Sequence, residues 1–270
     1  MEEIILKTIQ TSRRRLTPRV LATRLHENYA LTPSRVKKVI RSLVRSGKLE
    51  YTYQFGCTFL EPAFNRPVRV SPKVVLKPPQ RTYAANDGDI VIDVRPGASF
   101  GDGRHPTTRL AIKGIESVLK EAERRRIKRR TRILDIGTGT GVLVMAAVKG
   151  GIHSGVAVDL DPCAVSEARE NVNLNGLQKR IAIHPGPVER IEGRFFMIIA
   201  NLRFPGIVKL FPYMEKHLVS DGFIVLSGIK TEEITALMEL AEKKRFKVRW
   251  REGENGWEAV VLTKKAGAVI

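Results

Sequence analysis

The chain has 270 residues, 43% of them hydrophobic, which suits one large domain or two smaller ones with a sizeable core. Its net charge of +19 favours a polyanionic partner or an acidic protein surface over a neutral metabolite, although a basic proteome or a solubility effect gives the same excess. The two cysteines, Cys57 and Cys163, lack metal-ligand spacing, no apolar run reaches about 18 residues, and the N-terminus opens on acids, so zinc, a disulfide framework, a membrane span and a secretory signal are not expected.

Residues 1–64 read as a small separate unit. "EEIILKTIQTS" places Ile4, Ile5 and Ile9 at helical spacing. Thr17-Pro18 and Thr32-Pro33 each look like a cap followed by proline at the first helical position. In the third helix Val36, Val39, Ile40, Leu43 and Val44 form one stripe, and Arg35, Lys37, Lys38, Arg41 and Arg45 cover much of the remainder. "KLEYTYQFGCTFLEP" alternates and turns at Gly56, as a hairpin does. Three helices and a hairpin make the winged-helix plan, in which the third helix contacts nucleic acid. A solvated basic face on a domain that binds protein is the other reading.

Residues 65–95 read as a proline-rich linker leading into strands, ending in "DIVIDV". The segment "RPGASFGDGRHPTTRL" then packs Pro96, Gly97, Gly101 and Gly103 before His105-Pro106-Thr107-Thr108. Neither a strand nor a helix interior suits that composition. It is either a plain connector or a clamp over a ligand. A helical pattern follows, closing on "RRRIKRRTR", a solvated helix end or a second anion contact.

From Thr131 strands alternate with helices, the sign of a parallel α/β sheet, with "FKVRWREG" and "WEAVVLTKK" closing the chain as an antiparallel pair. "LDIGTGTG" is the pivot. Gly137, Gly139 and Gly141 alternate between a strand and a helix, letting a ligand approach backbone N–H groups. Asp159 ends the next strand 24 residues beyond Asp135, where a carboxylate can accept both hydroxyls of a ribose. Asp135 beside the glycine turn would repel a pyrophosphate but could receive an ammonium group. S-adenosylmethionine carries an amino group and a ribose without phosphate, so the sign of the charge favours it over NAD. Asn201 ends the fourth strand of this sheet and faces the same site. It could hold a substrate nitrogen or the cofactor's carboxylate, or simply cap the helix at Pro205. Asn201-Leu202-Arg203-Phe204 departs from the Asn/Asp-Pro-Pro-aromatic pattern of enzymes that methylate base amino groups or glutamine.

Together, "DVRPGASFGDGRHPTTRL", "ILDIGTGTGVLVMAA", "VDLDPCAVSEARENVNLNG", "IIANLRFPGIVKL" and "GFIVLSGI" resemble the bacterial ribosomal-protein lysine methyltransferase family (PrmA), from about Val74 to Thr263. The resemblance implies an α/β fold: a Rossmann-like class I methyltransferase sheet over residues 96–270, mostly parallel with an antiparallel C-terminal strand. It implies S-adenosylmethionine as cofactor and carries cofactor contacts over to Thr108, Gly137, Asp159 and Asn201. On this reading the loop is a clamp, with Phe100 and Gly101 folded over the methionine end. Two departures stand out: Asp102 where the family usually has threonine, changing the local charge, and Asn-Leu-Arg where it has Asn-Ile-Leu. The family's N-terminal domain does not resemble residues 1–64.

The expected activity is methylation of a protein amine, on lysine or the N-terminus and in a ribosomal protein by resemblance, with Asn201 as the catalytic residue aiming the amine's lone pair. His105 is either a base or a shaper of the clamp. The alternatives are an RNA methyltransferase guided by the basic N-terminal unit, through which RNA or DNA contact is expected, and a regulator that only senses the cofactor. The expected location is the cytoplasm.

Overall fold

The computed structural model describes residues 1–12, 16–54, 56–95, 97, 99–126 and 131–264, which divide into two compact units, Met1–Asn65 and Arg66–Ile270.

The first unit comprises α1 (Glu2–Gln10), α2 (Pro18–Tyr29), α3 (Pro33–Arg45) and an antiparallel hairpin of β1 (Leu49–Gln54) and β2 (Cys57–Pro62). Leu16 adds a bridge to Leu60. The apolar stripes meet in one core of Ile5, Leu16, Leu21, Leu25, Val36, Ile40, Leu43, Leu49 and Leu60. Thr17 caps α2 by accepting from the Val20 N–H at 3.2 Å. Thr32 precedes α3 without a side-chain cap, its hydroxyl lying 3.4 Å from that of Ser34 instead. Asn65 closes the unit by donating to the Gly47 carbonyl at 2.5 Å.

The second unit begins with the segment read as linker and strands. It is a three-stranded sheet of β3 (Val68–Arg69), β4 (Val74–Lys77) and β5 (Ile90–Asp93), with β4 and β5 parallel. The seven-stranded sheet contains β6 (Arg132–Ile136), β7 (Ser154–Asp159), β8 (Ile181–Pro185), β9 (Phe195–Asn201), β10 (Leu218–Lys230), β11 (Phe246–Glu254) and β12 (Trp257–Lys264). Their order is β11-β12-β10-β9-β6-β7-β8, parallel from β10 to β8, with the closing hairpin antiparallel to β10. This is the Rossmann-like sheet expected, and its chain reversal beside β6 opens the crevice where α/β sheets bind ligands.

Alternation along the strands sends Leu134, Ile136, Ile198, Ala200, Ile224 and Leu226 to one face, against Ile207, Phe211 and Met214 of α7 (Phe204–His217) and Leu237 and Ala241 of α8 (Ile234–Lys243). The opposite face is covered by α4 (Pro106–Arg124) and α5 (Val142–Lys149), with α6 (Pro162–Leu174) against β7 and β8. The basic run after α4 falls partly on residues 127–130, outside the described residues; Arg124 and Arg125 both pair with Glu121. Among the described residues no helix is long and apolar enough to cross a membrane.

Candidate active site

The turn after β6 is fixed by its neighbours in the sheet. The N–H groups of Gly137 and Thr138 donate to the Val158 carbonyl at 2.9 and 3.1 Å. Gly139 donates to Asp159 Oδ2 at 2.9 Å, and Asp161 N–H donates to Asp159 Oδ1 at 3.0 Å. Two backbone donors therefore orient the Asp159 carboxylate, and each of its oxygens keeps a lone pair for a ligand. Leu160 beside it is 75% exposed.

Asp135 lies beneath this turn, fully buried. The Thr138 hydroxyl donates to its Oδ2 at 2.7 Å, while Oδ1 has no partner. Burial pushes its carboxyl from the ordinary 3.8 up to about 7, opposed by the hydrogen bonds from Thr138 and the Val144 backbone and assisted by the charge of Asp159.

The glycine-rich loop before α4 closes over the same turn through its main chain. The Phe100 carbonyl accepts from the Thr140 N–H at 3.0 Å. A Cβ on Gly139 would lie 2.2 Å from that carbonyl oxygen, and one on Gly101 would lie 2.5 Å from Thr140 Oγ1. Both glycines also have positive φ, +54° and +124°, so any side chain would both strain the backbone and separate loop from turn. Glu167 of α6 holds the Ser99 N–H at 3.1 Å. Arg109 of α4 donates to the carbonyls of Gly103 and Arg104 at 3.0 and 2.6 Å, and to Glu254 at 3.0 Å. Asp102 accepts from Arg104 N–H and Nε–H at 3.0 and 2.6 Å. The acid that departs from the family pattern is thus neutralised inside the loop rather than altering the charge of the site.

His105 caps α4. Its Nδ1 accepts from the Thr107 N–H at 3.3 Å and lies 2.9 Å from the Thr107 hydroxyl. The imidazole stands edge-on to Phe100, with centroids 5.1 Å apart, and to Trp257 at 5.2 Å. The Arg203 guanidinium lies over the indole of Trp257 at 5.2 Å.

Asn201 ends β9 in register with Ser227 of β10, whose hydroxyl donates to the Thr107 carbonyl at 2.8 Å. The α4 N-terminus is thereby pinned to the strand beside Asn201. The N-cap of α7 is Arg203, so Asn201 is not the cap of that helix. The Asn201 side chain makes no hydrogen bond among the described residues. Leu202 is wedged between two glycines: a Cβ on Gly137 would sit 2.6 Å from its Cδ2, and one on Gly228 2.4 Å from its carbonyl oxygen.

The fold therefore gathers Phe100, Gly101, Asp135, Gly137, Gly139, Gly141 and Asp159 around one turn, with Thr108 on the clamp helix and Asn201 on the neighbouring strand end. Ser227, Trp257, Arg109, Glu167 and the hydroxyls of Ser99 and Thr140 escaped sequence reasoning. Their positions depend on pairings across as many as 145 residues, and no spacing rule carries that. Among the described residues, the buried side-chain polar atoms without a partner are those of Thr52, Ser99, Thr108, Asp135 and Thr140. Four of these five lie on the clamp, the α4 N-terminus or the glycine turn. Buried polar atoms are normally paired, so this cluster marks a place built for a polar ligand.

The family model described as "Ribosomal protein L11 methyltransferase (PrmA)" matches residues 63–265. The ribosomal protein L11 methyltransferase of Citrifermentans bemidjiense is 36% identical over 168 residues, 62% of this chain and 54% of that protein. That of Pelobacter propionicus is 35% identical over 205 residues, 75% of this chain and 65% of that protein. A crystal structure of ribosomal protein L11 methylase from Lactobacillus delbrueckii subsp. bulgaricus superposes with a TM-score of 0.65 at 27% identity, covering 74% of this chain and 99% of that one. The chain spans about half the length of the first of these curated relatives. With three-quarters of its residues matched to the family model, the chain belongs to the ribosomal protein L11 methyltransferase (PrmA) family.

Proposed function

We propose that the chain methylates an amine of a ribosomal protein, a lysine side chain or the N-terminus, using S-adenosylmethionine. The observation that carries this reading is the cluster of buried, unpartnered polar atoms around the glycine turn. Their chemistry fits the cofactor: Asp135 Oδ1 would receive the amino group and the hydroxyls of Thr108 and Thr140 would serve the methionine end, while the Asp159 carboxylate, oriented by two backbone donors, would accept the ribose hydroxyls. The absence of side chains at Gly137 and Gly139 lets Leu202 and the Phe100 carbonyl pack directly on the turn that would hold it. Bound there, the cofactor supplies an electrophilic sulfonium methyl.

The chain's own task is then alignment. Asn201 accepts a hydrogen bond from the incoming amine and directs its lone pair, a positioning effect. The amine must be neutral, and its desolvation on entering the site would disfavour the protonated form. His105 shapes the clamp through its cap and ring contacts. Asn201→Ala should leave S-adenosylmethionine affinity within about threefold and slow turnover about a hundredfold; unchanged turnover would remove Asn201 from the mechanism.

The acceptor is tested by labelled methyl transfer into a lysate of the source, with protease and RNase digests in parallel. Label lost only to protease supports the protein acceptor. Label lost only to RNase supports the RNA alternative, against which the Asn201–Phe204 motif stands. Absence of label would support the cofactor-sensing reading.

The first unit gives a specific reason to expect nucleic-acid contact as well. On α3, Arg35, Lys37, Lys38, Arg41 and Arg45 are all exposed while Val36, Ile40 and Leu43 are buried, the arrangement of a winged-helix recognition helix. Substituting Arg35, Lys38 and Arg41 with Gln should lower the slope of log affinity for duplex DNA against log salt by about 2 to 3. An unchanged slope would assign the face to solvent.

A further inference from the structure

We infer that Arg203 is a specificity-determining residue that engages a carboxylate on the acceptor protein next to the amine being methylated. The inference rests on the reading of a protein acceptor given above.

Cations near the clamp and the closing hairpin are paired. Arg104 pairs with Asp102, Arg109 with Glu254, Lys113 with Glu252 and Arg251 with Glu258. Arg203 is exposed, two residues beyond Asn201, and among the described residues no carboxylate pairs with it. Its site is nevertheless built. The guanidinium lies over Trp257, an indole only 7% exposed, whose edge meets His105, whose ring in turn meets Phe100 of the clamp. A row of rings thus runs from the clamp to Arg203, which forms its solvent-facing layer.

A guanidinium over an aromatic face is held there through its charge, and no carboxylate takes the N–H edges of this one among the described residues. Those edges form a planar fork matched to a carboxylate. The cation is therefore held in place on the strand-end segment that also carries Asn201, with its donors unspent. The ammonium of a protonated lysine would be repelled there, whereas a neutral amine flanked by a carboxylate would not.

A carboxylate could come from the acceptor or from the methionine end of the cofactor. The acceptor is favoured because Arg203 lies on the exposed side of Trp257, whereas Thr108, Asp135 and Thr140 of the cofactor cluster are buried.

The test is a double-mutant cycle on the protein that takes up label in the lysate experiment. Its methylated amine is mapped by mass spectrometry, and Asp or Glu residues within about four positions or 8 Å of it are changed to Asn or Gln. The wild-type enzyme should lose about tenfold in kcat/KM on that acceptor change, mainly through KM. Arg203→Leu should lose about the same on the unchanged acceptor and nothing further on the altered one, while Arg203→Lys recovers part of it. Affinity of Arg203→Leu for S-adenosylmethionine alone should stay within twofold. An acceptor without a nearby acid, additive losses in the cycle, or weakened cofactor binding would each overturn the inference while leaving the protein acceptor standing. Label in RNA alone, or none, would instead remove the reading on which it rests.

Discussion

Replacing Asp159 with alanine is expected to weaken S-adenosylmethionine binding by at least about a hundredfold, measured by calorimetric titration. Two effects add. Hydrogen bonds to a charged carboxylate contribute roughly 1.5–3 kcal/mol each, and a ribose offers two hydroxyls. The same carboxylate also holds the Gly139 N–H at 2.9 Å and the Asp161 N–H at 3.0 Å, so the turn loosens when it goes. Asp159→Asn separates the two. Its amide keeps one acceptor oxygen but turns an NH2 towards a backbone donor, so it should bind better than alanine and worse than wild type. Tight binding by the alanine variant would count against the ribose role.

The second large effect is on pH. Asp135, with its carboxyl raised to about 7 by burial, is ionised at pH 8 and mostly protonated at pH 6. An ammonium group needs the ionised form, so cofactor affinity should fall towards tenfold per pH unit below about 7 and level off above it. Asp135→Asn should bind weakly at every pH, with the slope gone. Stability of the ligand-free protein runs the other way. A folded-state pKa above the unfolded 3.8 contributes stability that is complete below pH 4 and is lost as pH rises to about 7. Thermal unfolding followed from pH 5 to 8, with and without cofactor, should show cofactor-induced stabilisation growing with pH. A constant increment would mean that Asp135 does not meet the amino group.

The sheet was legible because its strands are short apolar runs separated by helices with clear starts, and each periodicity reports burial directly. Glycines 137, 139 and 141 were legible for a related reason: a strand, a turn and a helix in immediate succession constrain the backbone locally. What periodicity could not show was pairing at a distance. β4 and β5 lie in the segment read as linker and strands, but nothing in their sequence gives their parallel pairing in a separate sheet. β10 begins at Leu218, directly from α7, although the apolar run that announces it begins only at Gly222. Trp257 is an ordinary aromatic in an apolar strand until the fold sets it between His105 and Arg203. Asp102 looked like an unbalanced charge because its partner, Arg104, is recognisable only from the turn between them.

The tie between loop and turn runs from the Phe100 carbonyl to the Thr140 amide, main chain to main chain. Its identity is therefore independent of which side chains the loop carries, provided the glycines stay. That frees residues such as Asp102 to vary while the enclosure keeps its shape. Divergence among relatives can then retune the rim for new acceptors without rebuilding the compartment, so the loop's tolerance to substitution should be lowest at Gly101 and highest at the charged positions beside it.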